Sequence, residues 1–404
     1  MNRRALEGIR IADFTWVWAG PYAVMLLAYM GAEVIKIESA KRIDSARMGS
    51  ITTGQTFTGW DSSSVFNNLN LNKLSVALDL SHPKGVELAK QIVSISDVVV
   101  QNMRPGAMER LGLGYEDLVQ IKPDIIMLSS SAYGATGPYR EYSGYAPHFS
   151  AFSGLSYMVG YPDSEPGSLT GSTDIRSATT SAFAILAALN YRQRTGQGQH
   201  IDLSSPETLS VLIGDTLMDY TMNQRLPSRV GNRDDFMAPH NCYRCQGEDK
   251  WVSIAVGTDG EWEALCRVMG NPKWTRDKLF SDAYSRWRNQ EHLDKLIEEW
   301  TINYSHYEVM EMLQASGVAA MPSFSAGELF SDPHLKAREA ATEVKHPVLG
   351  KQVVFNPPWK LSETPARVER AAPLLGEHNE YVFGKLLGMS KQEITQLIEE
   401  KVLY

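Results

Sequence analysis

A lone carboxylate among small residues is the most reactive feature of this chain: Pro166-Gly-Ser-Leu-Thr-Gly-Ser-Thr-Asp174-Ile-Arg-Ser. Asp174 stands just before a stretch that reads as a helix over 176–194, with Ala182, Ile185, Leu186 and Leu189 on one stripe. Elementary chemistry offers two roles for it. As a helix N-cap, its side chain accepts hydrogen bonds from the amides that the first turn leaves without partners. As a nucleophile, its carboxylate forms a covalent acyl intermediate. The roles are compatible, because amides at a helix start also stabilise neighbouring negative charge. Local sequence does not choose between them.

Other reactive devices are missing. There is no Walker loop, no nucleophile-elbow serine and no paired-histidine zinc helix. Gly112-Leu-Gly114 lacks the third glycine of a dinucleotide fingerprint. His240-Asn-Cys242-Tyr-Arg-Cys245 has the spacing of half a zinc site, but no second ligand pair follows it, so no metal is expected.

The elements that must position Asp174 alternate between strand and helix. Ile9–Phe14 reads as a strand, Tyr22–Met30 as a buried helix ended by Gly31, and Val34–Glu38 as a second strand. Strands at Ser75–Leu80, Asp97–Gln101 and Asp124–Ser129 follow, with a helix at Pro83–Ile95 and short ones at Pro105–Leu111 and Tyr115–Ile121. A strand at His200–Leu203 comes after the 176–194 helix. This alternation predicts an α/β fold with a parallel, doubly wound sheet. The glycine-rich run after Ser129 lies where such sheets gather ligands, beyond the carboxyl ends of the strands. From about Gly231 the texture changes to a hairpin, Asn241–Val256, and helices near Glu261–Met269 and Gln290–Trp300, which read as a smaller domain. Two tail helices are expected at Glu377–Leu387 and Lys391–Val402.

Composition narrows the function class. The 404 residues are 43% hydrophobic and 21% charged, an ordinary globular balance with room for a large core. A formal net charge of -8 argues against a nucleic-acid partner. Three cysteines, no evident signal peptide and no apolar run long enough to span a bilayer point to the cytoplasm and away from a membrane.

Several motifs occur in a recognisable order. They include Leu6-Glu-Gly8-Ile-Arg-Ile-Ala-Asp13, Ala19-Gly20-Pro21 and Gly31-Ala-Glu-Val-Ile-Lys36-Ile-Glu38. Asn72-Lys73, Gln101-Asn102-Met-Arg-Pro105-Gly106, Arg110-Leu-Gly112 and Ser131-Ala-Tyr133-Gly134 follow. Thr195-Gly-Gln-Gly198, Gly317-Val-Ala-Ala-Met-Pro322 and Ala372-Pro-Leu-Leu-Gly376-Glu-His378 complete the set. In these motifs, essentially along its whole length, the chain resembles the family III CoA-transferases.

The resemblance implies a function and a site. Asp174 would be the nucleophile, and CoA a carried substrate rather than a resident cofactor. Val17, Trp18, Ala19, Asn102, Met103, Arg110, Leu111, Tyr133 and Leu203 would lie against CoA. Arg110 suits a phosphate, although an ion pair with Glu109 or Asp117 is its bland alternative. The implied fold is a Rossmann-like large domain (1–225), an inserted smaller α+β domain (226–330) and a return to the large domain (331–404), assembled as an interlocked homodimer or with a paralogous subunit. Succinyl-CoA as donor and an aromatic acid such as benzylsuccinate as acceptor are the expected substrates, with carnitine-type, oxalate and mesaconate acceptors left open. This chain departs from some members in Ser39-Ala40 after the second strand, in Ser131 where a lysine occurs, and in lacking a glycine-rich flap near 231–247. The rivals are an α-methylacyl-CoA racemase, whose Gly-His-Asp is here Gly144-Tyr145-Ala146 with His148 out of register, and a silent CoA-binding subunit.

Overall fold

The computed structural model describes residues 4–48, 59–167 and 169–404. In chain order the first part forms β1 (Arg10–Asp13), α1 (Ala19–Tyr29), β2 (Glu33–Glu38), α2 (Ser64–Leu69), β3 (Leu74–Ala77), α3 (Pro83–Ser94), β4 (Val98–Gln101), α4 (Ala107–Arg110), α5 (Tyr115–Ile121), β5 (Ile126–Ser131), α6 (Ala146–Phe152), α7 (Leu155–Met158), α8 (Thr170–Thr195), β6 (Gln199–Ser204), α9 (Ser205–Ser210) and α10 (Gly214–Asn223). The strands make one six-stranded parallel sheet in the order β3-β2-β1-β4-β5-β6. The order reverses between β1 and β4, which leaves a crevice beyond their carboxyl ends.

Both faces of the inner strands are buried, which is why β4 is an apolar run, while the edge strand β6 is partly exposed. Side chains alternate across the sheet. Ala12, Val99 and Met127 pack on one face with Leu88 and Ile92 of α3 and with Phe383, Ile394 and Leu397 from the end of the chain. Ile11, Val98, Val100 and Leu128 pack on the other with Val24 and Leu27 of α1 and Ala182, Ile185 and Ala188 of α8. The C-terminal stretch adds an antiparallel hairpin, β10 (Ala341–His346) and β11 (Gly350–Phe355), and a helix at Lys391–Glu399. The other expected tail helix is a seven-residue π-helical turn, Glu380–Leu386.

The chain divides into two compact units. The second comprises 157–167 and 227–335. It carries an antiparallel sheet of β7 (His240–Arg244), β8 (Trp251–Ala255) and β9 (Ala319–Pro322) over helices Asp259–Val268, Gln290–Thr301 and His306–Ala315. Val252, Ile254, Leu265, Leu293 and Leu313 form its core. Residues 157–167, set in the large domain by the sequence reading, cluster here because Gly231 N–H donates to the Gly160 carbonyl at 2.9 Å and Arg229 to that of Tyr157 at 3.2 Å.

Two boundaries near the crevice differ from the sequence reading. Helix α8 begins at Thr170 rather than 176, because its buried early face is Thr173, Ser177 and Ala178, small side chains that carry no apolar stripe. Strand β5 runs on to Ser131, which brings Ser130 and Ser131 into the sheet.

Candidate active site

Beyond the carboxyl ends of β1, β4 and β5 lies a cavity of about 540 Å³. Trp16, Val17, Trp18 and Ala19 wall it from the β1 side, and Asn102 to Pro105 from the β4 side. Ser130, Ser131 and Ala132 close it at β5, while Tyr142 to Pro147, Phe149, Gly171, Asp174 and Ser205 complete the lining.

The β1 wall rests on buried charge. Asp13 accepts from Thr15 N–H at 2.9 Å and from Lys73 Nζ at 2.9 Å. Lys73 spends its other donors on the Pro21 carbonyl and Asn70 Oδ1, both at 2.9 Å. Lys36 Nζ donates to the Thr15 carbonyl at 2.7 Å. Asn102 grips Trp16 twice: its Oδ1 accepts from Trp16 N–H and its Nδ2 donates to the Trp16 carbonyl, each at 2.8 Å. Gly20 lets the loop approach this closely, since a Cβ there would sit 2.6 Å from Thr15 Cβ.

Asp174 projects from the second turn of α8, five residues past the Leu169 cap position. This corrects the capping alternative. The amides without helical partners are those of the first turn, and Asp174 lies beyond them. It is half-buried, and among the described residues no donor reaches its carboxylate. Burial therefore acts unopposed and pushes its pKa up to about 6. A carboxylate in that state is still mostly ionised at neutral pH, more basic than usual and unshielded by hydrogen bonds. Such a group is suited to attack a carbonyl. Beside it in the lining, the Ser131 hydroxyl is buried and has no hydrogen-bond partner.

The structure brings Val17, Trp18, Ala19, Asn102 and Met103 into one cavity with Asp174. Arg110 lines an adjoining pocket of about 520 Å³, together with Arg42, Arg104 and Trp16. Arg110 makes no ion pair with Glu109 or Asp117; Asp117 instead accepts from Gly114 N–H at 3.2 Å. The Arg42 guanidinium lies 5.1 Å from the Trp16 ring centroid. Leu111, Tyr133 and Leu203 line neither pocket. Leu111 packs on the sheet core and Leu203 is buried in β6. Tyr133 backs the cavity, its ring 6.4 Å from Tyr142 and 6.3 Å from Phe149. His148 is exposed and outside the lining, and among the described residues no histidine lines the cavity opposite Asp174 as a racemase would need.

Ser130, Ser131, Arg104, Tyr142 and Tyr145 also line the cavity, positions to which the sequence reading gave no part in CoA binding or chemistry. The strand-end rule applied to β5 was the signal for the two serines. Among the described residues no three acidic, histidine or cysteine side chains gather as a metal would require. No helix among them is long and apolar enough to cross a membrane.

Comparison with known proteins agrees with this geometry. The profile of CoA-transferase family III matches residues 6–379. The succinyl-CoA–D-citramalate CoA-transferase of Chloroflexus aurantiacus is 34% identical over 401 residues, 99% of this chain and 98% of that protein. The succinyl-CoA–L-malate CoA-transferase beta subunit of the same organism is 33% identical over 405 residues, covering 98% of each chain. Among solved structures, a CAIB/BAIF family protein from Brucella suis superposes with a TM-score of 0.86 at 29% identity, covering 96% of this chain and all of that one. With a parallel sheet opening at its switch point and a profile match across most of its length, the chain belongs to CoA-transferase family III and is an enzyme that carries coenzyme A as a substrate.

Proposed function

We propose that this enzyme moves CoA from succinyl-CoA to a carboxylic acid bearing an apolar or aromatic group, benzylsuccinate being the type, through a thioester on Asp174. The observation that carries the mechanism is the unpaired, desolvated carboxylate in the cavity at the switch point. A carboxylate oxygen of Asp174 attacks the donor thioester carbonyl and expels CoA thiolate, leaving a mixed anhydride. The thiolate attacks the aspartyl carbon and releases succinate, giving aspartyl-CoA. The acceptor carboxylate attacks that thioester and again expels thiolate. The thiolate then attacks the acceptor's acyl carbon, which frees product and restores the Asp174 carboxylate. Each nucleophile is an anion and each leaving group departs as one, so no proton changes hands.

The donor assignment draws on relatives named as users of succinyl-CoA. Trp16, Trp18, Tyr142, Tyr145 and Phe149 in the lining favour an aromatic acceptor. Arg42, Arg104 and Arg110 in the adjoining pocket suit the phosphates of CoA, and Trp16 its adenine. A dimer is the working form. Val211, Leu217, Met218 and Met222 expose apolar surface that a partner would cover. The partner is a second copy or a paralogue, as the alpha and beta subunits named among the relatives suggest.

The test is chemical trapping. Enzyme incubated with succinyl-CoA and quenched with hydroxylamine carries a modification that peptide mass spectrometry maps to Asp174. Modification elsewhere, with Asp174 untouched, rejects the mechanism. A panel of carboxylic acids, read by new thioesters, tests the acceptor.

A further inference from the structure

We propose that Asp44 is a positioning residue for CoA transfer, holding Val17 in a left-handed backbone conformation so that Trp16 to Ala19 form the wall of the Asp174 cavity. The inference rests on the reading of that cavity as the place where CoA is bound. Val17 has φ 66°, a region in which a β-branched residue is a genuine outlier. Such strain persists only where the surroundings over-determine it. Here the Val17 N–H donates to both carboxylate oxygens of Asp44, at 3.1 and 3.4 Å.

Asp44 is itself well anchored. It is 3% exposed, accepts from Ala46 N–H at 3.0 Å and lies 3.5 Å from Lys36 Nζ. Lys36 in turn donates to the Thr15 carbonyl, two residues before Val17. With Asn102 gripping both backbone groups of Trp16, the loop is held from three distant points of the sequence. Among the described residues, the Asp44 contact alone lands on the strained residue. Without it, Val17 relaxes to an ordinary φ angle and swings the peptides on either side of it, those of Trp16 and Trp18, out of place. Among the described residues, Asp44's side chain meets the lining through this one amide, which makes its role indirect.

A double-mutant cycle tests this, read by calorimetric binding of CoA and by turnover with succinyl-CoA. Asp44→Ala weakens CoA binding about tenfold and lowers kcat by at least as much, the scale set by small misplacements in an active site. Asp44→Asn keeps one oxygen for the Val17 amide and loses less. Adding Val17→Gly to either variant recovers most of the lost affinity, because glycine takes the left-handed angle unaided. A role in fold stability alone would give no such recovery. If Asp44→Ala does not fold, the Asp44→Asn arm with and without Val17→Gly decides. Additive effects of the two changes, or CoA affinity within twofold of the parent in the folded Asp44 variant, overturn the proposal. Failure of the Asp174 mechanism would appear in the trapping experiment and leave CoA affinity untouched.

Discussion

Two aspartates stand at the same end of the sheet and show how differently burial acts on them. Asp13 is fully buried, and burial alone would raise its pKa; the charges of Lys73 and Lys36 and the bond from Thr15 outweigh that and hold it below the ordinary carboxylate range. Asp174 is less buried, yet burial lifts it to about 6 because nothing opposes it. The difference lies in the supply of partners, not in depth. A carboxylate whose lone pairs are all engaged is a structural part. One left without donors keeps its electrons for chemistry.

The contrast is broken most severely at Asp174. Asp174→Ala should lower exchange of label between succinate and succinyl-CoA by at least a thousandfold, as loss of a covalent nucleophile does, while CoA binding and a cooperative melting transition persist. A variant retaining most of its exchange would make Asp174 no more reactive than Asp13. Next comes Lys73→Met, which strands the Asp13 charge inside the core. Urea unfolding should show a loss of about 3–5 kcal/mol, with the surviving folded enzyme still able to bind CoA. A loss below 1 kcal/mol would mean the pair is not what stabilises this wall.

Asp174→Asn carries the opposite sign of stability. With its folded pKa above the ordinary aspartate value of 3.8, Asp174 favours the folded state at low pH, where it keeps its proton. That contribution is lost as pH rises through about 6. Asparagine never bears the charge. The variant should therefore gain on the parent between about pH 4 and 6 and hold a lead of about 2–3 kcal/mol above that. The same protonation predicts that transfer by the parent declines below pH 6. Equal stability of the two proteins at pH 8 would show that the site is better solvated than its geometry indicates.

The parallel sheet was legible because its inner strands are buried on both faces, and Val98 to Val100 read as an apolar run. That the cavity lies beyond the carboxyl ends of the strands followed from the parallel sheet that the alternation implied; the strand order that puts the switch point between β1 and β4 came only with the fold. The start of α8 was not legible, since hydroxylated side chains such as Thr173 and Ser177 fill its buried face. Asp174 stood out locally as a lone acid among small residues, but its role as nucleophile, like the Val17–Ala19 loop, came from resemblance and not from local pattern. Nothing in the sequence links Asp44 to Val17, 27 residues away; only the fold brings them together. Arg104 and Tyr145 reach the lining through loops, whose course no periodicity announces.

The finest test of partner supply is Ser131→Ala. In the Asp13 network the donors are spent, so truncating one there leaves a buried acceptor short and costs stability. Ser131 is the reverse case: its hydroxyl is 7% exposed at the residue level, lines the Asp174 cavity and has no partner to lose. Removing it from the ligand-free enzyme should leave the melting temperature unchanged or raise stability by up to about 1 kcal/mol, since an unmet buried donor disappears. If that donor is held ready for an incoming acyl oxygen, the stabilisation that succinyl-CoA confers on the parent should shrink in the variant. A fall in stability without ligand would mean that Ser131 is already bonded, and the cavity would then resemble the Asp13 network more than its geometry suggests. A single pair of melting curves, with and without succinyl-CoA, separates a hydroxyl kept free for substrate from one that merely fills space.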